Sequence, residues 1–391
     1  MMRKFVLFLA FLLIWHSVPL LSSANEADDK LQMAENAKSA ILVEKDTGTV
    51  LFEKDSHKPL PPASMTKIMT MLLIMEAIES KKISWEDQVR TSDFAASMGG
   101  SQIFLEPGEE MTVKEMLQAI AIGSANDASV AMAERIGGSE EAFVQMMNKK
   151  AKELDLKQTQ FKNATGLPEK GHYSSAYDMA IMAKELLNHE QITEFTGTYE
   201  AYLRNGTDKK FWLVNTNRLL KFYPGVDGLK TGFTNEAKYC LTTTAQKGKM
   251  RLVAVVFGAP TPKDRNAQIT KMMDYGFGHY ALTPLYEKGR EITSLNVVKG
   301  HKNKVALETG ANVSVIARKG DKQVKMKQQL HLQKNIQAPI KKGTKLGELR
   351  IKRDGKVISK TPLIAKEDIH KASWWQFYKK VFHYFTKTSD A

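Results

Sequence analysis

The chain has 391 residues, 42% hydrophobic, 26% charged and 8% aromatic, which excludes a disordered or fibrous protein and leaves room for two domains. Its formal charge of +14 is unevenly placed: residues 286–391 carry 24 Lys and Arg against 9 Asp and Glu, whereas the first 285 residues carry 33 against 34. The basic character therefore belongs to the tail third. The single Cys240 excludes an internal disulfide and a cysteine-based zinc site, and the nine His show no metal-ligand spacing, so no cofactor or metal is expected.

Residues 1–24 open with Arg3-Lys4, pass through an apolar run and reach Ser22-Ser23-Ala24 before an acidic stretch, the layout of a secretory signal peptide. The competing reading is an uncleaved membrane helix, against which the apolar stretch falls short of about 20 residues. Either one puts the remainder outside the cytoplasm. A polar linker follows over 25–36. Two short apolar runs, 40–43 and 50–53, flank Asp46-Thr47-Gly48 and predict a β-hairpin.

After Pro61-Pro62 a helix is expected from Ser64, burying Ile68, Met69, Leu72, Leu73 and Met75. Thr112 and Glu115 have capping-box spacing for a second helix to about 122. Gly123-Ser124-Ala125 is then a polar break before a third helix over 126–136. Further helices are expected over 140–154, 175–188 and 264–280, and strands over 239–245 and 252–257. From 291 onward, short alternating stretches separated by Gly300, Gly310, Gly320, Gly343, Gly347 and Gly355 predict a small β-sandwich.

On a helix over 371–387, Trp374, Trp375, Phe377, Tyr378, Val381, Phe382 and Phe385 share one face, opposite Gln376, Lys379, Lys380, His383 and Lys387. Such a helix suits a membrane interface, the alternative being a terminal helix packed on its own domain. The plan is a signal peptide (1–24), a linker (25–36), an α/β body (37–285), a basic β module (286–370) and an amphipathic anchor (371–391).

Three short patterns carry chemistry. In Ser64-Met65-Thr66-Lys67 a hydroxyl and an amine share one helical face, and a lysine of lowered pKa could take the hydroxyl proton. Alone this spacing also fits a solvated helix start. Ser124-Ala125-Asn126 falls in the break between helices, where its polar groups could face a cleft or Asn126 could simply cap a helix. Lys230-Thr231-Gly232 opens an extended segment whose cation, hydroxyl and unhindered backbone suit a peptide carboxylate, or else a tight turn beside an exposed Lys.

In this order, 60 and 106 residues apart, the three patterns match the set shared by penicillin-binding proteins and serine β-lactamases. Over nearly the whole mature length the chain resembles the low-molecular-mass D-alanyl-D-alanine carboxypeptidases, the sporulation-associated members most closely. Residues 99–108, Asn163-Ala164-Thr165-Gly166-Leu167 and the 173–179 stretch resemble that family as well. The resemblance implies a transpeptidase-like α/β domain with an antiparallel sheet flanked by helices, followed by the β domain and the anchor.

It also implies roles for the motif residues. Ser64 would be the nucleophile, Lys67 its base, Ser124 and Lys230 a proton relay to the departing D-alanine, and Asn126 a hydrogen-bond partner of the substrate peptide. The backbone N–H groups of Ser64 and Phe233 would form the oxyanion hole. Thr231 and Arg265 would hold the terminal carboxylate on the edge formed with Gly232, although Arg265 could equally be a solvated residue of a helical first turn. The implied partners are peptidoglycan stem peptides ending in D-Ala-D-Ala, β-lactams as covalent inhibitors, and a membrane surface; export argues against nucleic acid.

One departure is Lys238, at a position after Lys-Thr-Gly where family members often have Gly. A class A β-lactamase would share the three motifs, but Ala125 interrupts its Ser-Asp-Asn pattern and no Glu-x-x-x-Asn loop occurs over 150–167. A non-catalytic wall scaffold would be expected to lose a motif residue, and none is lost.

Overall fold

Ser39–Glu44 (β1) is buried at all six positions. A strand hidden on both faces belongs at the centre of a layered domain. The computed structural model, which describes residues 33–321 and 326–373, places it so. With Val50–Lys54 (β2), Val226–Thr234 (β3), Lys238–Lys247 (β4) and Met250–Ala259 (β5) it forms a five-stranded antiparallel sheet in the order β2-β1-β5-β4-β3. The expected hairpin is the β1–β2 pair, and Ile41 stands opposite Val255 across the β1–β5 ladder.

The sheet has a helical layer on each face. Ile41, Val43, Val253, Val255 and Phe257 join the larger core. Its centre is Lys67–Glu79 (α1), surrounded by Val113–Gln118 (α2), Asn126–Gly137 (α3), Glu140–Glu153 (α4) and Ala176–Leu186 (α5). On the other face Leu42, Leu51 and Leu252 meet Pro262–His279 (α6) at Gly276. α6 starts at a Thr261 N-cap with proline in its first turn, as those residue types favour.

Two expectations change in detail. The sequence suggests one apolar face for α1, but Met71, Ile74 and Thr70 are buried too, because the helix runs through the middle of the core. The second helix starts at the expected Thr112–Glu115 capping box, but after Gln118 it widens into a π-turn over Ala119–Gly123. Two ribbons were not anticipated: Gln88–Arg90 with Glu110–Thr112, and Glu200–Leu203 with Phe211–Val214. Strands of three or four mixed residues are too short to show a period.

The chain then builds a C-terminal β domain. Glu291–Asn296, Lys304–Thr309, Met326–Leu332, Lys345–Arg353 and Lys356–Ala365 form a second antiparallel sheet, with the last strand paired to both Lys304–Thr309 and Lys345–Arg353. A ribbon of Tyr280–Tyr286 and Val313–Arg318 shares its apolar core through Val313 and Val315, which join Leu307, Leu349, Ile351 and Leu363. The expected signal peptide lies outside the described residues, as does the expected amphipathic helix from residue 374 onward.

Candidate active site

Ser64 lies in a 3-10 turn, Ala63–Thr66, that leads directly into α1. Ala63 before it has φ +48, a left-handed conformation that costs a non-glycine residue energy and is held here by packing. One helical turn on, Lys67 is completely buried, and its Nζ donates to three acceptors: Ser64 Oγ at 3.2 Å, Asn126 Oδ1 at 2.6 Å and the Thr165 carbonyl at 2.7 Å. Burial, reinforced by the Lys230 charge, holds Lys67 well below the ordinary lysine range, while the Asp127 carboxylate opposes that shift.

The second motif follows the π-turn. Ser124 has φ +63 and is 3% exposed, so the polar break is a sharp left-handed turn facing inward. Asn126 opens α3, but its side chain does not cap it. Its Oδ1 receives the lysine, its Nδ2 donates to the Gly99 carbonyl at 2.6 Å, and its backbone N–H donates to the Ser101 carbonyl at 2.7 Å.

The neighbouring Asp127 orders this wall. Its buried carboxylate accepts the N–H groups of Ile103 and Leu105 at 3.0 and 3.1 Å and of its neighbour Ala128 at 2.9 Å. Sequence reasoning did not single out Asp127, whose signal was its place directly after the motif asparagine.

The third motif lies within β3. Lys230 is buried, with Nζ 3.2 Å from the Thr231 carbonyl, and burial with the Arg265 charge lowers it to about 7. Thr231 Oγ1 shares a 2.6 Å hydrogen bond with Thr216 Oγ1, a partner the sequence did not reveal. At Gly232 an added Cβ would stand 2.7 Å from the Pro62 carbonyl and 3.2 Å from Ala63 Cβ, so the absent side chain is what lets β3 press against the Ser64 turn. The Phe233 ring is half exposed and stacks on Tyr239 at 4.5 Å.

Arg265 is not solvated. It is 6% exposed, hydrogen-bonds Asn266 Oδ1 at 3.1 and 2.9 Å, and is lowered to about 10 by burial. Lys238, the departure noted in the sequence, has φ +58, a left-handed conformation that favours glycine. Cys240 is fully buried, and burial pushes its thiol up to about 11, as suits a small core residue.

A segment near residue 165 completes the site. Asn163 Oδ1 accepts the N–H groups of Thr165 and Gly166 at 3.3 and 2.7 Å, a turn that aims the Thr165 carbonyl at Lys67. Beside it, a groove of about 590 Å³ opens between residues 59–63, residues 166–173, Thr234 and Glu236. The three motifs thus bring a serine, two buried lysines of lowered pKa and an amide together under one strand. That constellation supports nucleophilic acyl transfer.

Comparison with known proteins agrees with this geometry. Residues 24–261 match the family model described as D-alanyl-D-alanine carboxypeptidase, and residues 280–371 match the penicillin-binding protein 5 C-terminal domain. The chain is 62% identical over 356 residues to the D-alanyl-D-alanine carboxypeptidase DacF of Bacillus subtilis, covering 91% of this chain and 92% of that one. Penicillin-binding protein 5 of Haemophilus influenzae superposes with a TM-score of 0.68 at 31% identity, covering 87% of this chain and 98% of that one. Penicillin-binding protein D2 of Listeria monocytogenes, in an ampicillin-bound form, superposes over 62% of this chain and 98% of its own length with a TM-score of 0.56 at 31% identity.

Proposed function

The chain belongs to the D-alanyl-D-alanine carboxypeptidases of peptidase family S11, and on that premise we propose how its residues carry out the reaction. It is a serine-type D-alanyl-D-alanine carboxypeptidase and a penicillin-binding protein of peptidoglycan metabolism. The observation that carries the assignment of roles is the 3.2 Å contact between Ser64 Oγ and the buried Lys67 Nζ.

Ser64 Oγ attacks the carbonyl carbon of the penultimate D-alanine, and Lys67, as the neutral amine that burial favours, keeps its two N–H groups on Asn126 and the Thr165 carbonyl and accepts the hydroxyl proton through its lone pair across the Ser64 contact. The Ser64 and Phe233 N–H groups stabilise the resulting oxyanion. The peptide bond then breaks as Ser124 and Lys230 deliver a proton to the leaving nitrogen, releasing D-alanine and leaving an ester on Ser64. Asn126 turns its amide from Gly99 to the stem peptide. Thr231 and Arg265 hold the terminal carboxylate, with Gly232 keeping β3 close to the nucleophile. Water adds to the ester carbonyl, a proton returns to Ser64, and the tetrapeptide stem departs. β-Lactams acylate the same serine and occupy it.

The remaining segments follow the charge and aromatic pattern. Residues 1–24 export the chain, 25–36 link to the body over 37–285, and 286–370 form a basic β-sandwich. Residues 371–391 rest as an amphipathic helix on the outer face of the cytoplasmic membrane, which the mixture of lysines and aromatics supports. The test of the catalytic roles is D-alanine release from an acylated peptide ending in D-Ala-D-Ala, with Ser64→Ala as control. Release by the parent alone upholds them. A folded parent that forms a penicillin adduct at Ser64 but releases no D-alanine overturns the hydrolytic role.

A further inference from the structure

His172 has no part in the chemistry above, yet it is 7% exposed and both ring nitrogens are engaged. Nδ1 accepts the Lys162 N–H at 3.3 Å, which puts the proton of a neutral imidazole on Nε2, 2.8 Å from Thr66 Oγ1. Thr66 lies between Ser64 and Lys67 in the nucleophile turn. The ring therefore ties together three pieces of chain: one limb of the 160–173 segment through Lys162, the other through its own backbone, and the catalytic turn through Thr66. Phe161 closes one side of it edge-on, with ring centroids 5.9 Å apart.

The 160–173 segment is what carries the Thr165 carbonyl to Lys67. Its base is paired by backbone hydrogen bonds at Gln160–Tyr173 and Leu60–Ser174. Nearer its tip it meets the catalytic helix through side chains: Thr66 to His172, Lys67 to Thr165, and Thr70 Oγ1 to the Ala164 carbonyl at 2.7 Å. Gly166, at φ +83, lies so close that an added Cβ would stand 1.9 Å from the Ala63 carbonyl. A shift of the segment would therefore move an acceptor of Lys67 and press on the residue before Ser64.

We propose that His172 is a positioning residue for Lys67, acting through Thr66 and the Thr165 carbonyl to hold the amine against Ser64. This rests on the reading of Ser64 and Lys67 as the acylating pair. Protonating the ring would set a second N–H against the Lys162 N–H, so the clamp works as the neutral imidazole. Burial, with the Lys162 charge adding to it, lowers His172 to about 4 and keeps that form at neutral pH. The charged groups near it are Lys162 on one limb, Glu169 toward the tip of the other, and Lys67 beyond Thr66.

The test compares the full chain with His172→Ala, Thr66→Val and the double variant, measuring acylation by a fluorescent penicillin between pH 5 and 10. His172→Ala is expected to slow acylation at pH 7 by about 10- to 100-fold, the range for a misplaced catalytic group. The acid limb should move to lower pH, because a lysine ammonium that loses a carbonyl acceptor gives up its proton more readily. Thr66→Val, which keeps the side-chain volume, should reproduce both changes, and the double variant should be no slower than the slower single one.

A folded His172→Ala that acylates within twofold of the parent with an unmoved acid limb overturns the proposal, as do effects that simply multiply in the double variant. Should His172→Ala fail to fold, Thr66→Val decides by the same two readouts. A parent that forms no adduct at Ser64 would instead overturn the underlying assignment.

Discussion

The catalytic body and the β domain use cations in opposite ways. In the body, where the net charge of the first 285 residues is close to zero, Lys67, Lys230 and Arg265 are buried, and each is bent toward a defined neighbour. In the β domain none of the described Lys and Arg side chains is buried. Lys327 stands directly opposite Lys352, and Arg350 opposite Lys360, across neighbouring strands. Like charges facing each other on a sheet destabilise it slightly, whereas a lysine stripped of water has its proton affinity changed outright. Charge excess and chemical use of charge are thus separate properties, carried here by separate parts of one chain.

The sharpest way to break that comparison is to remove one buried cation. Lys67→Met is expected to slow acylation by a fluorescent penicillin by about 10²- to 10⁴-fold, the usual contribution of a general base. An effect under tenfold in a folded variant would mean that the Ser64 proton leaves by another route.

Lys230 gives a test in stability. Its folded pKa of about 7 lies below that of an unfolded lysine, so between about pH 7 and 10 the unfolded chain binds more protons than the folded one. The folded state therefore gains on the unfolded as pH rises through this window, by at most about 1.4 kcal/mol per pH unit. Urea denaturation of the parent against Lys230→Met should show the difference growing in the parent's favour from pH 7 to 10. A constant difference would mean that Lys230 is not desolvated in the fold.

Asp127 ranks next. Asp127→Asn keeps the size of the side chain but points an amide at N–H groups that now meet a carboxylate, so it should cost about 2 kcal/mol in chemical denaturation. D-Alanine release should fall with it, because the 99–105 wall that engages Asn126 loosens. Intact stability in the variant would show that the Ile103 and Leu105 bonds contribute little.

The difference between these regions also governs what could be read before any fold was known. Ser64 and Lys67 are three residues apart on a helix, so their meeting is local and legible. Asn126 and Thr165 reach the same amine from 59 and 98 residues away, and only the packing of α1 against α3 and the 160–173 segment brings them there. The capping box at Thr112 is local, whereas the π-turn that inverts Ser124 left no periodic trace. Lys238 was visible as a departure, but the reason glycine is favoured there, φ +58, is a property of the β3–β4 turn. In the β domain Gly300, Gly310, Gly320, Gly343 and Gly355 lie between strands, but Gly347, expected to separate them too, sits inside Lys345–Arg353, and the pairing of the strands depends on contacts far apart in sequence. His172 was hidden for the same reason: its partner Thr66 is 106 residues away.

The smallest expected effect probes the surface side of the comparison. Lys360 is exposed and faces Arg350, which is itself paired with Glu348 at 2.6 Å. Lys360→Glu exchanges repulsion from Arg350 for attraction but gives up the attraction of Lys360 for Glu348, so the stability of the β domain should move by less than about 1 kcal/mol. Because such pairs sit in water, most of that change should vanish between 0.01 and 1 M salt. D-Alanine release from a free peptide should not change, since no group of the site is touched. A change in turnover at constant stability would mean that the charge of the β domain reaches the nucleophile after all, and the separation of the two roles would fail.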